Sequence, residues 1–257
     1  MARMARRLGP DTEPATTPDD LVRALSIDPA VALRSPCPEA HAEQCWNAQG
    51  ERLTAEPKLV RTIEKDLDKL ESQGVDVLRA VCVITCARRL NEGVAKGLSR
   101  FDVDLHCMER LAIDIRAREG EKEGCDVVAI CGKVGGYDRY PPAFGPLGGR
   151  LHAVVSEGRA RSEYALPGLG RIAFVRDADD RHLLVSMASL VGKWVRDLLM
   201  ARIVRYHRIA DPELPEASGY HDPVTTNFIE LTRLARSARA VPDDCFARRA
   251  IGTGVEP

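Results

Sequence analysis

DDRHLLVSMASLVGKWVRDLLM, residues 179–200, is the stretch whose reading decides the fold. Leu184, Met187, Ala188, Val191, Trp194, Val195 and Leu198 recur at helical spacing, and Ile203 continues them. That spacing predicts a long helix from about Leu183 to about His207 with a wide apolar stripe turned to a core. Ala188, Ser189 and Gly192 are small, which lets such a helix approach a sheet closely. Asp179 and Asp180 precede its first turn, where unpaired amides favour anions. Capping chemistry alone is enough to account for acids at that place.

Working outward, the text before this helix reads as strands. CDVVAICG (125–132) is a near-continuous apolar run ending in glycine, as in a strand buried on both faces. GRLHAVVSEG (149–158), GRIAFVRD (170–177) and the β-branched VDVLRAVCVITC (75–86) are further strand candidates. Between them lie helical patterns. Leu59, Val60, Ile63, Leu67 and Leu70 share one face of a helix from Pro57 that Gly74 ends. Val103, Leu105, Met108, Leu111, Ala112 and Ile115 form another stripe, and a last helix covers 223–238. Alternating strands and helices predict an α/β fold rather than a bundle.

Three segments follow from composition. Residues 1–56, rich in proline, threonine and acids, are expected to be weakly ordered or peripheral. Residues 57–246 form the domain, and 247–257 read as a disordered tail. Lys+Arg total 37 against Asp+Glu 38, which excludes a strongly basic nucleic-acid coat but leaves room for a local basic groove. No apolar run approaches the roughly 18–20 residues of a membrane span. The start, MARMARRLGP, has no apolar core after it and is not a secretory signal. The eight cysteines are scattered without a CxxC pair, so buried free thiols in a cytoplasmic protein are expected.

Around Asp179 the text resembles the C-terminal half of ribonuclease HII, the type 2 ribonuclease H family. Asp179 stands ten residues before Ser189; MAS (187–189), GK (192–193), RD (196–197) and Met200 follow the family pattern without a gap. Downstream, Gly219 and Tyr220 match its Gly-Tyr, and Phe246 its terminal Phe. Residues 131–164 resemble a divergent bacterial branch through Gly135, Gly136, Arg139, Tyr140, Ser156, Glu157, Arg161, Ser162 and Tyr164. The resemblance implies a ribonuclease H-like mixed central sheet with flanking helices. It implies an endonuclease cutting the RNA strand of RNA–DNA hybrids with Mg²⁺ or Mn²⁺, since such a reaction uses hard oxygen ligands around paired cations. Asp179 would be a metal ligand, with Asp177 and Glu157 as nearby acids able to join it. Lys193 would position phosphate or the acidic cluster. Tyr220 with Gly219 would contact the sugar, and Arg139 and Arg161 would bind the substrate. Separately, the basic text EGRARSEY (157–164) offers Arg159 and Arg161 to phosphates, although exposed arginines usually just solvate a face.

The chain departs from that family in two places. No DEAGxG segment occurs, and Gly132, followed by Lys133, stands where the central-strand Asp belongs. A non-catalytic relative that binds nucleic acid or a protein partner is therefore the second expectation, and the number of carboxylates that gather separates the two. Three smaller constellations carry less. GKVGG (132–136) lacks the spacing of a P-loop. His106 and Cys107 are neighbours pointing about 100° apart on a helix, which suits no shared metal. Ser189 and Lys193 lie one turn apart beside an apolar stripe, which favours packing over a Ser-Lys nucleophile.

Overall fold

A computed structural model describes residues 17–37, 41–53, 56–119, 127–134, 136–220 and 222–248. The chain divides into two compact units, one drawn from Met1–Cys82 and Trp194–Ala240, the other from Val83–Lys193 and Val241–Pro257. Among the described residues no helix is long and apolar enough to cross a membrane. Cys125, Gly135, His221 and most of the expected tail, 249–257, lie outside the described residues.

The first unit opens with α1 (Pro18–Leu25), α2 (Ala30–Arg34) and α3 (Ala42–Trp46). Thr17 caps α1 by accepting the Asp20 amide, while the Asp20 carboxylate accepts the Thr17 amide, a reciprocal capping box. Leu21, Val22 and Leu25 are buried along one face of α1, and Leu33 from α2 joins the buried set. The described part of the segment expected to be weakly ordered or peripheral holds three short helices. Its charged residues are what fasten it: Glu51 binds Arg202 of the long helix at 2.7 Å through both oxygens. Composition marks the segment as polar, and only the tertiary pairing shows that its polar groups are spent inside.

Next comes α4 (Pro57–Ser72), ended by Gly74 at φ 83° as the periodicity predicts. The strand expected at 75–86 does not form. Cys82 makes a single parallel bridge to Ser26, with its amide donating to Leu25 O at 2.7 Å. β-branched residues favour a pleated surface only where a neighbouring strand supplies one.

In the second unit, α5 (Ala87–Ala95) and α6 (Arg100–Glu119) precede a four-stranded sheet of β1 (Val128–Gly132), β2 (Ala153–Ser156), β3 (Arg161–Leu166) and β4 (Gly170–Val175). The order is β1-β4-β3-β2; β1 runs parallel to β4, and the other pairs are antiparallel. The protein is therefore mixed α/β with a mixed sheet flanked by helices. Phe101, Leu105 and Ala112 of α6 pack on Tyr164, Leu166, Ile172 and Phe174 of the sheet. Ala173 and Val175 point to the other face, where Ala178 and Val185 cover them. β1 is an edge strand and only half-buried, not the doubly covered strand its apolar run suggests. Gly170 is tied to this geometry: at φ 110°, a Cβ there would stand 2.3 Å from Val127 O, so no side chain fits where β4 meets β1.

The loop between β1 and β2 hangs on a buried carboxylate. Glu109 of α6 accepts the amides of Leu147 at 2.7 Å and Gly145 at 3.2 Å. Burial pushes its pKa up, and those two backbone bonds oppose the shift without cancelling it. His106 one turn earlier meets Ala143 O at 3.1 Å, which makes it a packing residue.

After β4 come α7 (Ala178–Arg181), α8 (Leu183–Arg208), α9 (Pro223–Leu231) and α10 (Arg233–Ala238). The expected single helix over 223–238 is broken at Thr232, whose hydroxyl donates to Phe228 O at 2.7 Å. The helix predicted from Leu183 to His207 is present as α8. Of its stripe only Val195 is buried, while Met187, Val191, Trp194, Leu198 and Ile203 are half-buried and Leu184 and Ala188 are exposed.

Candidate nucleic-acid interface

Asp179 sits inside α7, a single turn that follows the left-handed Asp177 at φ 50°. The Ser186 hydroxyl of α8 donates to the Asp179 carbonyl, which fixes the corner between the two helices. The Asp179 side chain itself is exposed, as is Asp180. Asp177 is paired with the adjacent Arg176 at 3.2 Å. Glu157 is committed elsewhere: its two oxygens take the Tyr164 hydroxyl at 2.9 Å and Arg139 Nε at 3.3 Å. Among the described residues no group of three or more His, Cys, Asp or Glu side chains is placed to hold a metal ion. As placed, Asp177, Asp179 and Glu157 do not offer Mg²⁺ or Mn²⁺ the set of free hard oxygens such an ion takes.

Lys133, at the position following the missing central-strand Asp, has a structural role. Its side chain is only 6% exposed, and its ammonium donates to Tyr137 O, Asp138 Oδ1 and Gly158 O at 2.9, 2.8 and 2.6 Å. All three donors are used, so nothing remains for a phosphate. The same end of the sheet gathers most of the residues that the resemblance picks out between 131 and 164. Tyr164 Oη accepts the Tyr140 amide at 3.1 Å while donating to Glu157, and Ser162 Oγ donates to Asp138 O at 2.6 Å. Burial pushes the Tyr164 hydroxyl up to about 12, which keeps it a donor at any ordinary pH. Arg161 is spent on Glu163 at 2.8 Å. Arg139 remains largely exposed beyond its contact with Glu157.

The described cysteines are free thiols, each half-buried. Burial raises Cys82 to about 11 and Cys131 to about 12, so neither is a nucleophile near neutral pH. Ser189 and Lys193 are both exposed on α8.

The best-formed arrangement lies in the first unit, where two separate stretches of the resemblance meet. Gly219 adopts φ 77°, and a Cβ there would stand 2.8 Å from Met200 Sδ, so α8 and residues 218–220 touch through a glycine. Ser218 Oγ donates to Asp222 Oδ2 at 2.7 Å and accepts the Tyr220 amide at 3.2 Å. Asp222 in turn caps α9 by accepting the Thr225 amide at 2.7 Å. Bonds from Ser218 and Thr225 hold the Asp222 carboxyl below its ordinary range. The Tyr220 ring lies against Arg196, whose guanidinium carbon is 3.8 Å from the ring centroid. No family model, curated protein or solved structure matches this chain.

Tyr220 is 55% exposed, so one face of its ring rests on a cation while much of the rest stays open. Such a ring can stack on a base or sugar, and the guanidinium beneath it holds its orientation. Lys193 lies one turn before Arg196 on the same helix. The sequence reading selected Tyr220, Gly219 and Lys193 but not Arg196, although the RD…M spacing places Arg196 one turn before Met200. Asp179 and Tyr220 belong to different units.

Proposed function

We propose that this protein binds nucleic acid, with an RNA–DNA hybrid as the substrate class, through the Tyr220–Arg196 platform of its first unit. The reading rests on one observation: an exposed tyrosine at the position where the ribonuclease HII resemblance implies the sugar contact, backed by the Arg196 guanidinium. Exposed basic groups on α8 would attract the phosphate backbone, and the ring would stack on the nucleotide. Fluorescence anisotropy on a labelled hybrid tests this. Tyr220→Ala should weaken binding by about 5- to 150-fold, the loss of a stacking contact of about 1–3 kcal/mol, while Tyr220→Phe should keep it. Equal binding by Tyr220→Ala would sink the platform.

The second reading is the divalent-metal endonuclease, supported by the unbroken correspondence from Asp179 to Met200. A duplex carrying one ribonucleotide, incubated with Mn²⁺, separates the two. On the binding reading, wild-type protein and Asp179→Asn give the same background of cleavage. Cleavage by the wild type above that of the Asn variant would make the protein an enzyme.

A further inference from the structure

The Tyr220–Arg196 pair is a narrower device than a basic patch. Arg196 bonds the neighbouring Asp197 through two nitrogens, Nε at 3.3 Å and a terminal nitrogen at 2.8 Å from the same oxygen. Its guanidinium carbon lies 3.8 Å from the Tyr220 ring centroid. The cation is thus shared between a carboxylate and an aromatic face, and its pull on a phosphate is largely offset. The more open member of the pair is the ring: Tyr220 is 55% exposed, the Arg196 side chain only 30%. A cation against one face draws π density towards itself. The ring then stacks best on a partner that is large and rich in π electrons, which among the bases means a purine. Inside a paired hybrid each base face is covered by its neighbours, so a ring reaches a base only where pairing ends.

We propose that this platform takes an unpaired purine at the end of a hybrid, and takes it by stacking rather than by charge. The proposal rests on the nucleic-acid reading of the same site and narrows its substrate. Asp197 keeps the guanidinium against the ring and offsets its charge, and the polarised ring selects the base.

The test is fluorescence anisotropy of the full chain on three labelled hybrids. One is fully paired, one carries a single adenine overhang on its RNA strand, and one carries a single uracil overhang. The adenine hybrid should bind at least about fivefold more tightly than the paired one, the lower end of what one stacked base contributes. The uracil hybrid should fall between them. Tyr220→Ala should erase the differences among the three, with circular dichroism unchanged because the position is exposed. Arg196→Met should shrink the adenine-to-uracil ratio, a comparison in which the lost charge cancels. The adenine advantage should persist from about 50 to 200 mM salt, a range over which phosphate contacts fade. Equal binding of all three hybrids with a uniform loss on Tyr220→Ala would overturn this proposal and leave the platform standing. An adenine advantage that survives Tyr220→Ala, or a ratio unmoved by Arg196→Met, would also overturn it. No loss on Tyr220→Ala with any hybrid would remove the platform and the proposal together.

Discussion

Glu51→Ala is expected to destabilise the first unit by about 3–5 kcal/mol, because it strands a buried guanidinium. Arg202 is fully buried on α8 and meets Glu51 at 2.7 Å through two nitrogen–oxygen pairs and Asp19 at 3.0 Å. Arg205 adds a contact to Glu51 at 3.2 Å and donates to Asn47 O at 2.6 Å. One carboxylate thus neutralises two arginines and ties residues 47–51 to the helix. Desolvation alone would raise the Glu51 pKa, but the bonds and charge of Arg202 and Arg205 outweigh it and hold the carboxyl below 4.5. Removing the acid leaves the cation buried with only Asp19 beside it. Urea unfolding followed by circular dichroism measures the loss, which is a large share of a typical stability of about 5–15 kcal/mol. Replacing both partners by apolar residues, Glu51→Leu with Arg202→Met, should recover most of it, since the charge that costs is then gone. A Glu51→Ala protein as stable as the wild type would show that the pair contributes nothing.

Acid should weaken the same unit through His207. The ring is buried against Phe228, with Nε2 at 2.8 Å from Gln44 Oε1, and burial, with Arg239 and Arg236 nearby, lowers its pKa from 6.5 to about 4. The folded protein therefore keeps the ring neutral where the unfolded chain protonates it. Between pH 6.5 and about 4 the unfolded state holds the extra proton, so stability is full above pH 6.5 and falls as pH drops through this window. The loss by the bottom of the window is about 3 kcal/mol. Below 4.5 Glu51 adds to it, since its folded pKa is depressed and its contribution disappears as it protonates. Urea midpoints measured from pH 7.5 down to 4.5 should slope steadily in the wild type and flatten in His207→Phe, which starts less stable but has no proton to gain. An unchanged slope in that variant would place the acid sensitivity elsewhere.

Much of the scaffold was legible in the amino-acid order. The helices at 57–72, 100–119 and 183–208 follow from apolar spacing, and the strands at 128–132 and 170–175 from short apolar runs bounded by glycine or charge. Strand β3 was less visible, because Arg161, Ser162, Glu163 and Tyr164 read as polar text. Ser162, Glu163 and Tyr164 are buried because each is paired: Ser162 with Asp138 O, Glu163 with Arg161 and Arg171, and Tyr164 with Glu157. The run at 75–86 carried the opposite error, strong β propensity with no strand beside it.

The candidate interface divides the same way. Gly219, Tyr220 and Lys193 could be picked from motif spacing, since residue type and interval along the chain are all that a motif needs. That Tyr220 rests on Arg196, that Lys133 is consumed by three oxygens, and that Glu157 is held by Tyr164 and Arg139 could not be read from spacing. Sequence determined which segments become helices and strands and where polar groups concentrate, because periodicity is a local property of the chain. Only the tertiary structure decided which of those polar groups are spent on one another and which stay open to a ligand. Hydrogen-bond partners far apart in the chain meet only after folding, and a side chain's chemistry is set by the partner it meets.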